Sequence, residues 1–561
     1  MKHVPWKNLY SIGHFYSFGS SIPIHSNLVF SPEIQDLINR FLHTTFVFSN
    51  DEEALSIKHS MDQRILPDGF VLDTRQRSIE LKYSTLRGLL YGIESLNALV
   101  KKTSTGHELP IVLIEDEPDF ERRGIIEGYY GTPWTFEERH EMFAFMHEHR
   151  MNAYMYAPKM DPYHRDLWRV SYPQELLDQL SQMVSRSKEY LIDMWMCISP
   201  AHHAQDHHPI DYASKEDLSI LFQKMTPFID MGITKFGLLY DDIDFALQGK
   251  SQELFGTPGN AHAMLANEFL AFLQTKIAHP ELVICPTEYH EIGSSPYRED
   301  LKNGLNPNIA IFWTGDNVVA EVISQEDIVR TKVAFDKPLF IWDNFPVSDF
   351  TYGVREFIAP IQNRSVSLYK HSKGYFINPS VHYHLSKVGM ISMASFAWNG
   401  GSYQKEASFF QALDNINPSL RLLGLDFFYH NYPSALDHSK QAVEHLWVEE
   451  SKFKEILDYY ANVVKASNRL LELHSPFIEE LSPWLKRTIC EAFVASSILS
   501  TKATKQNIIE FLQDTHFAGS ELIDYLILKN DYLSTEEYNR LITSKRGRTW
   551  YRVFEAKRWQ K

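Results

Sequence analysis

Eight short apolar runs, most of them separated by amphipathic helical stretches, follow one another between Arg123 and Ser380 of this 561-residue chain. Such an alternation predicts an α/β fold built on a (β/α)8 TIM barrel, which typically takes about 250 residues. The stretch before it predicts a small α/β domain, and the stretch after it a helical bundle. The expected boundaries are residues 1–118, 119–400 and 401–561.

In the first region, DGFVLDT and SIELKYS read as paired strands, and TLRGLLYGIESLNALV spaces its apolar residues as a helix does. LPIVLIEDEPDFERRG then reads as a strand running into an acidic, proline-containing linker. The eight runs that follow are GIIEGYYG, NAYMYAPK, IDMWMCISP, KFGLLYDD, LVICPTEY, NIAIFWTG, PLFIWDN and GYFINPS. They are apolar along most of their length, as strands of a parallel sheet covered on both faces must be. TFEERHEMFAFMHEHR and NAHAMLANEFLAFLQTKIA are two of the intervening helices. After about residue 400 the strand pattern stops, and FKEILDYYANVVKASNRLLEL puts its apolar residues on one helical face.

Composition narrows the function classes. A net charge of −16 argues against nucleic acid, because phosphate binding needs a basic surface. Residues 545–561 are basic and aromatic, and read as a solvated helix face or packing tail. Aromatic residues make up 13% of the chain, which suits stacking on the C–H faces of sugars but also suits a large core. Cys197, Cys285 and Cys490 imply no disulfide framework. No apolar stretch is long enough to span a bilayer, and the N-terminus lacks a signal-peptide core, so a cytoplasmic enzyme with no membrane partner is expected.

Barrels of this kind build their active sites at the C-terminal ends of the strands. Those ends read Gly128–Tyr129, Lys159, Ser199, Asp241–Asp242, Tyr289, Trp313–Thr314, Asp343–Asn344 and Asn378. A barrel with no chemistry would need no such convergence of polar side chains on one rim. Asp241 and Asp242 carry most of the weight. Neighbours in a strand point to opposite faces, so both can face one pocket only where the strand turns into loop. Two close carboxylates resist joint ionisation, which would leave one as an acid and one as an anion. Helix capping or a cation site would also explain YDDID. His202, His203, His207 and His208 lack a supporting carboxylate in the sequence, and no metal site is expected from them.

RGIIEGYYGTPWT, YMYAPKMDPYHRDLWR, LLYDDID, CPTEY, FWTGDNVV and WDNFPVSD, in this order and spacing, resemble glycoside hydrolase family 84, the O-GlcNAcase-like β-N-acetylglucosaminidases. The resemblance implies substrate-assisted catalysis through an oxazoline, with no cofactor and no metal. It implies that Asp241 orients the substrate's acetamido N–H and that Asp242 is the general acid and base. By the same resemblance, Gly128 and Lys159 contact sugar hydroxyls, Tyr289 the acetamido oxygen, and Cys285 and Trp342 line the acetyl pocket. Asn344, Asp349 and Asn378 would bind ring hydroxyls or the acetamido region. Without the resemblance, Cys285 and Trp342 read equally well as ordinary core residues. The implied partner is an N-acetylglucosamine-bearing glycoconjugate or glycoprotein, and a homodimer is allowed.

Three other readings stay open at this level. An endo-acting, hyaluronidase-like enzyme would cut chains internally. An inactive sugar-binding barrel would keep the fold without the chemistry. A metal-dependent glycosyltransferase would use Asp242 and Asp244 as a DxD motif, which fits an eight-unit barrel poorly.

Overall fold

The computed structural model describes residues 6–25, 31–43, 45–51, 53–203, 208–351, 356–423, 453–500, 502–513, 527 and 532–543. His207 and the basic tail from Lys545 lie outside the described residues.

The chain opens with a mixed sheet whose strands run in the order β1 (Asn8–Phe18), β8 (His107–Asp116), β5 (Phe70–Asp73), β6 (Ser78–Tyr83), β4 (Leu55–Met61), β2 (Ile22–His25) and β3 (Phe46–Phe48). A short β7 (Lys101–Lys102) pairs with β8. The two runs read as paired strands are β5 and β6, antiparallel with Leu72 opposite Leu81. Helices α1 (Pro32–Phe41) and α2 (Leu86–Leu99) belong to this unit. In α2, Leu89, Ile93 and Leu96 are buried together with Leu90 and Tyr91, so the helix is covered on more than the one face its spacing predicts.

All eight predicted runs form a closed parallel barrel: β9 (Arg122–Glu127), β10 (Ala153–Tyr156), β11 (Asp193–Ile198), β12 (Lys235–Leu239), β13 (Glu281–Cys285), β14 (Ala310–Trp313), β15 (Leu339–Asp343) and β16 (Gly374–Ile377), with β16 returning to β9. Around it lie α3 (Phe136–Glu148), α4 (Gln174–Glu189), α5 (Lys215–Asp230), α6 (Gly249–Phe255), α7 (Pro258–Lys276), α8 (Pro296–Gly304), α9 (Gln325–Phe335) and α10 (Tyr383–Trp398). Their starts are fixed locally. Thr135 and Glu138 form a reciprocal capping box on α3, and Thr257 caps α7 ahead of Pro258.

Alternate strand residues fill two cores. Met155, Trp195, Leu239, Val283, Phe312 and Phe340 pack inside the barrel, while Ile125, Tyr154, Leu238 and Ile311 pack outward against the helices. The close approach of β9 to β10 demands glycine at position 124, where a Cβ would lie 1.7 Å from the Ala153 carbonyl oxygen. Buried ion pairs join barrel and N-terminal sheet: Arg123 to Asp68 at 2.9 Å and Arg150 to Asp116 at 2.7 Å. Beyond the barrel, the described residues are helical: α11 (Lys405–Ile416), α12 (Phe453–Leu471), α13 (Pro476–Leu499), α14 (Lys505–Gln513) and α15 (Thr535–Thr543). Trp484 and Leu485 of α13 share a core with Leu385 and Val388 of α10, which seats α13 beside the barrel mouth. Among the described residues no helix is long and apolar enough to cross a membrane.

Candidate active site

Strand parity decides which side chains reach the mouth of the barrel. Counting in twos from inward-facing Ile126, Ala157, Leu239, Phe312, Trp342 and Phe376 leads to Gly128, Lys159, Asp241, Thr314, Asn344 and Asn378. All six line one cavity of about 1320 Å³, together with Asp242, Cys285, Tyr289, Trp342 and Asp349. Every residue that the sequence nominated for catalysis or sugar binding is therefore brought to one place.

Asp242 breaks the parity. In a regular strand it would point to the helices, but its φ of +56° turns the chain and returns its carboxylate to the cavity. Asp241 is buried, whereas the Asp242 side chain is 38% exposed. The carboxylates are not an isolated pair. The Lys159 ammonium forms a salt bridge with Asp241 Oδ2 and lies 3.9 Å from Asp242 Oδ2. Burial pulls the Lys159 pKa down, but the Asp241 and Asp242 carboxylates with Tyr130 together outweigh it and hold the ammonium above its ordinary range. Asp241 Oδ1 is buried with no hydrogen-bond partner among the described residues.

Two phenols meet Asp242. Tyr130 Oη donates to Oδ2 at 2.7 Å, and Tyr289 Oη donates to Oδ1 at 3.3 Å. Burial raises both phenols; Asp242 raises Tyr289 further, while Lys159 opposes the rise at Tyr130. The Tyr130 backbone N–H donates to Asp349 Oδ2 at 2.8 Å, and burial raises the Asp349 carboxyl above the usual range. Burial and the Asp241 charge push the Cys285 thiol up, so it is a neutral wall.

The opposite wall is a chain of amides. Gly128 N–H donates to Asn378 Oδ1 at 3.2 Å, and Asn378 Nδ2 to Asn344 Oδ1 at 3.0 Å. Trp342 Nε1 donates to the same Asn344 oxygen at 3.0 Å. Position 128 needs glycine because a Cβ there would sit 2.6 Å from the Trp342 ring.

Several rim assignments from the sequence do not hold. Tyr129 is buried, its hydroxyl donating to Glu127; Tyr130 takes the place in the cavity. Asp343 points outward and is held by both Nε and Nη2 of Arg364 at 2.8 Å. Trp313 packs in the outer core, and buried Ser199 does not reach the cavity. Tyr130 was recoverable by parity from Ile126. The cavity is also lined by Glu138, His384 and Glu479, which no sequence pattern singled out. Burial lowers the His384 pKa to about 4. Of the noted histidines, His202 pairs with Asp166 at 2.8 Å, while His203 and His208 are exposed on the loop after β11.

Comparison with known proteins accords with this geometry. The family model for beta-N-acetylglucosaminidase matches residues 123–424. Protein O-GlcNAcase of Rattus norvegicus and of Mus musculus are each 32% identical over 280 residues, covering 49% of this chain and 29% of theirs. The match thus spans less than a third of those relatives' length. The solved structure of CpGH84B superimposes with a TM-score of 0.78 at 23% identity, covering 97% of this chain and 99% of that one. A mutant of the Thermobaculum terrenum O-GlcNAc hydrolase gives 0.68 at 26% identity, over 79% and 98%. Matched over more than half its length, with its acidic pair at the mouth of the barrel, this chain belongs to the β-N-acetylglucosaminidase family, glycoside hydrolase family 84.

Proposed function

We propose that the chain is a retaining exo-β-N-acetylglucosaminidase, removing terminal N-acetylglucosamine from a glycoconjugate or glycoprotein by substrate-assisted catalysis. One observation carries the reading: Asp241 is fixed through Oδ2 by Lys159 while buried Oδ1 has no partner among the described residues. A buried acceptor left open in this way is costly unless a ligand supplies a donor. The acetamido N–H of an N-acetylhexosamine is such a donor.

With that N–H held, the acetamido carbonyl oxygen is turned toward the anomeric carbon. It attacks there as the glycosidic C–O bond breaks, and Asp242 gives its proton to the departing oxygen. The oxazoline formed is opened by water, whose proton returns to Asp242. An internal nucleophile gains from its position, and the anionic Asp241 favours the positive charge that develops on the acetamido group. Cys285 and Trp342 supply a small apolar wall for the acetyl methyl. Asp349 and the Asn344–Asn378 pair bind the outer hydroxyls, which supports action at chain ends. The three units 1–118, 119–400 and 401–561 are part of this proposal, as is work in a reducing compartment such as the cytoplasm, where the buried Cys197 and Cys285 would stay thiols.

Successive fluorination of the acetyl methyl tests the nucleophile. Each fluorine withdraws electrons from the carbonyl oxygen, so kcat should fall stepwise across the series. A flat series, or a glycosyl ester trapped on an enzyme carboxylate, would refute it.

A further inference from the structure

Arg165 does not line the cavity but reaches it through Tyr130, which does. It follows β10 on the turn DPYHR and is 4% exposed. Its Nη1 donates to Tyr130 Oη at 3.2 Å, and its guanidinium stands 5.4 Å from the centre of the Tyr130 ring. Nε and Nη2 have no partner among the described residues. A guanidinium has five N–H donors and no acceptor. Tyr130 Oη must therefore accept from Arg165, and its single hydrogen is left for Asp242 Oδ2, 2.7 Å away.

We infer that Arg165 is a positioning residue for the reaction: it commits the Tyr130 hydrogen to Asp242 Oδ2, which leaves Oδ1 as the oxygen that gives up and takes back the catalytic proton. This rests on the assignment of Asp242 as acid and base. The other groups facing Asp242 fit it. Tyr289 holds Oδ1 more loosely, at 3.3 Å, and Lys159 lies 3.9 Å from Oδ2. Asp241, Asp349 and Cys285 are the remaining titratable neighbours. With Oδ2 able only to accept, the proton is held on Oδ1, the more loosely held oxygen, which can turn toward the leaving group. The same donor favours the carboxylate, the form that the water step requires.

The test exploits direction. In Arg165→Lys the replacement still only donates, so Tyr130 keeps its orientation. In Arg165→Gln the amide oxygen can accept, and the Tyr130 hydrogen can turn away from Asp242. The readout is the alkaline limb of the pH profile of kcat/KM on a poor leaving group, with melting temperature confirming that each variant folds. Losing a donor to an anion keeps the acid protonated to higher pH. Tyr130→Phe should move the limb up by about 1–2 pH units, the usual worth of a hydrogen bond to a charged group. Arg165→Gln should move it in the same direction, Arg165→Lys should leave it in place, and Arg165→Gln in the Tyr130→Phe background should add nothing. Equal shifts for Lys and Gln, no shift for Gln, or additive shifts in the double variant would each overturn the relay. In Asp242→Asn the limb should vanish. Its persistence there would instead overturn the assignment of the acid.

Discussion

Lys159 at the end of β10 and Asp241 at the end of β12 form a salt bridge whose side chains are only 3% and 6% exposed. Removing one partner of such a pair leaves an uncompensated charge in the interior. Lys159→Met should therefore destabilise the protein by about 3–5 kcal/mol in urea denaturation. Adding Asp241→Asn to that variant should restore part of the loss. The pair also has a defined pH window. The Lys159 pKa is raised by folding, so its contribution is complete below the unfolded value of about 10.4 and is lost as pH rises through the folded value. It is intact throughout the neutral range.

The proposed role of Asp242 predicts a division of substrates by leaving group. If it donates the proton, Asp242→Asn should slow glycosides with basic leaving groups by about 10²–10⁴-fold. Activated aryl glycosides, which need little protonation, should be largely spared. Asp241→Asn should slow both classes alike. Equal losses on both classes for Asp242→Asn would be inconsistent with its role as acid.

Gly128→Ala tests the packing of the amide wall. The new methyl would meet Trp342 at 2.6 Å, and overpacking of that kind costs about 1–3 kcal/mol. Because Trp342 shares Asn344 with Asn378, the shift should raise KM as well as lower the melting temperature, and an unchanged KM would contradict it. Steady-state kinetics beside a thermal melt would show it.

Acid should weaken the fold through its buried neutral histidines. His262 stacks 4.1 Å from the Tyr240 ring, and burial lowers its pKa to about 3. The unfolded chain takes up that proton near pH 6.5, the folded chain only near 3, so stability falls as pH drops between those values. By pH 5 the cost is about 2 kcal/mol for this one group. The loss of stability between pH 7 and 5 should be smaller by that amount in His262→Gln. An unchanged slope would count against it.

The barrel was legible because both faces of each strand are covered, which makes eight apolar runs stand out from the amphipathic helices between them. Asp241, Asn344 and Asn378 were legible as strand ends, and parity explains why they reach the mouth: it carries the inward set of the barrel straight into it. Tyr129 and Asp343 were misplaced where that parity was not applied. Both stand one residue out of step with the inward set, and both serve buried polar contacts behind the wall. The position of Asp242 could not be counted, since a left-handed residue resets the alternation. Arg165 left no pattern to read. Its role comes from a loop that folds back under Tyr130, thirty-five residues away in sequence.

The most direct test of the central claim sets nitrophenyl β-glycosides of N-acetylglucosamine, N-acetylgalactosamine and glucose side by side with the purified protein, and pairs them with product analysis on a chitin oligomer. We predict rapid cleavage of the N-acetylglucosaminide, an essentially inert glucoside, and free monosaccharide as the first product from the oligomer. Hydrolysis of the glucoside at a comparable rate would contradict the internal nucleophile, and mid-length fragments without monosaccharide would contradict action at the chain end.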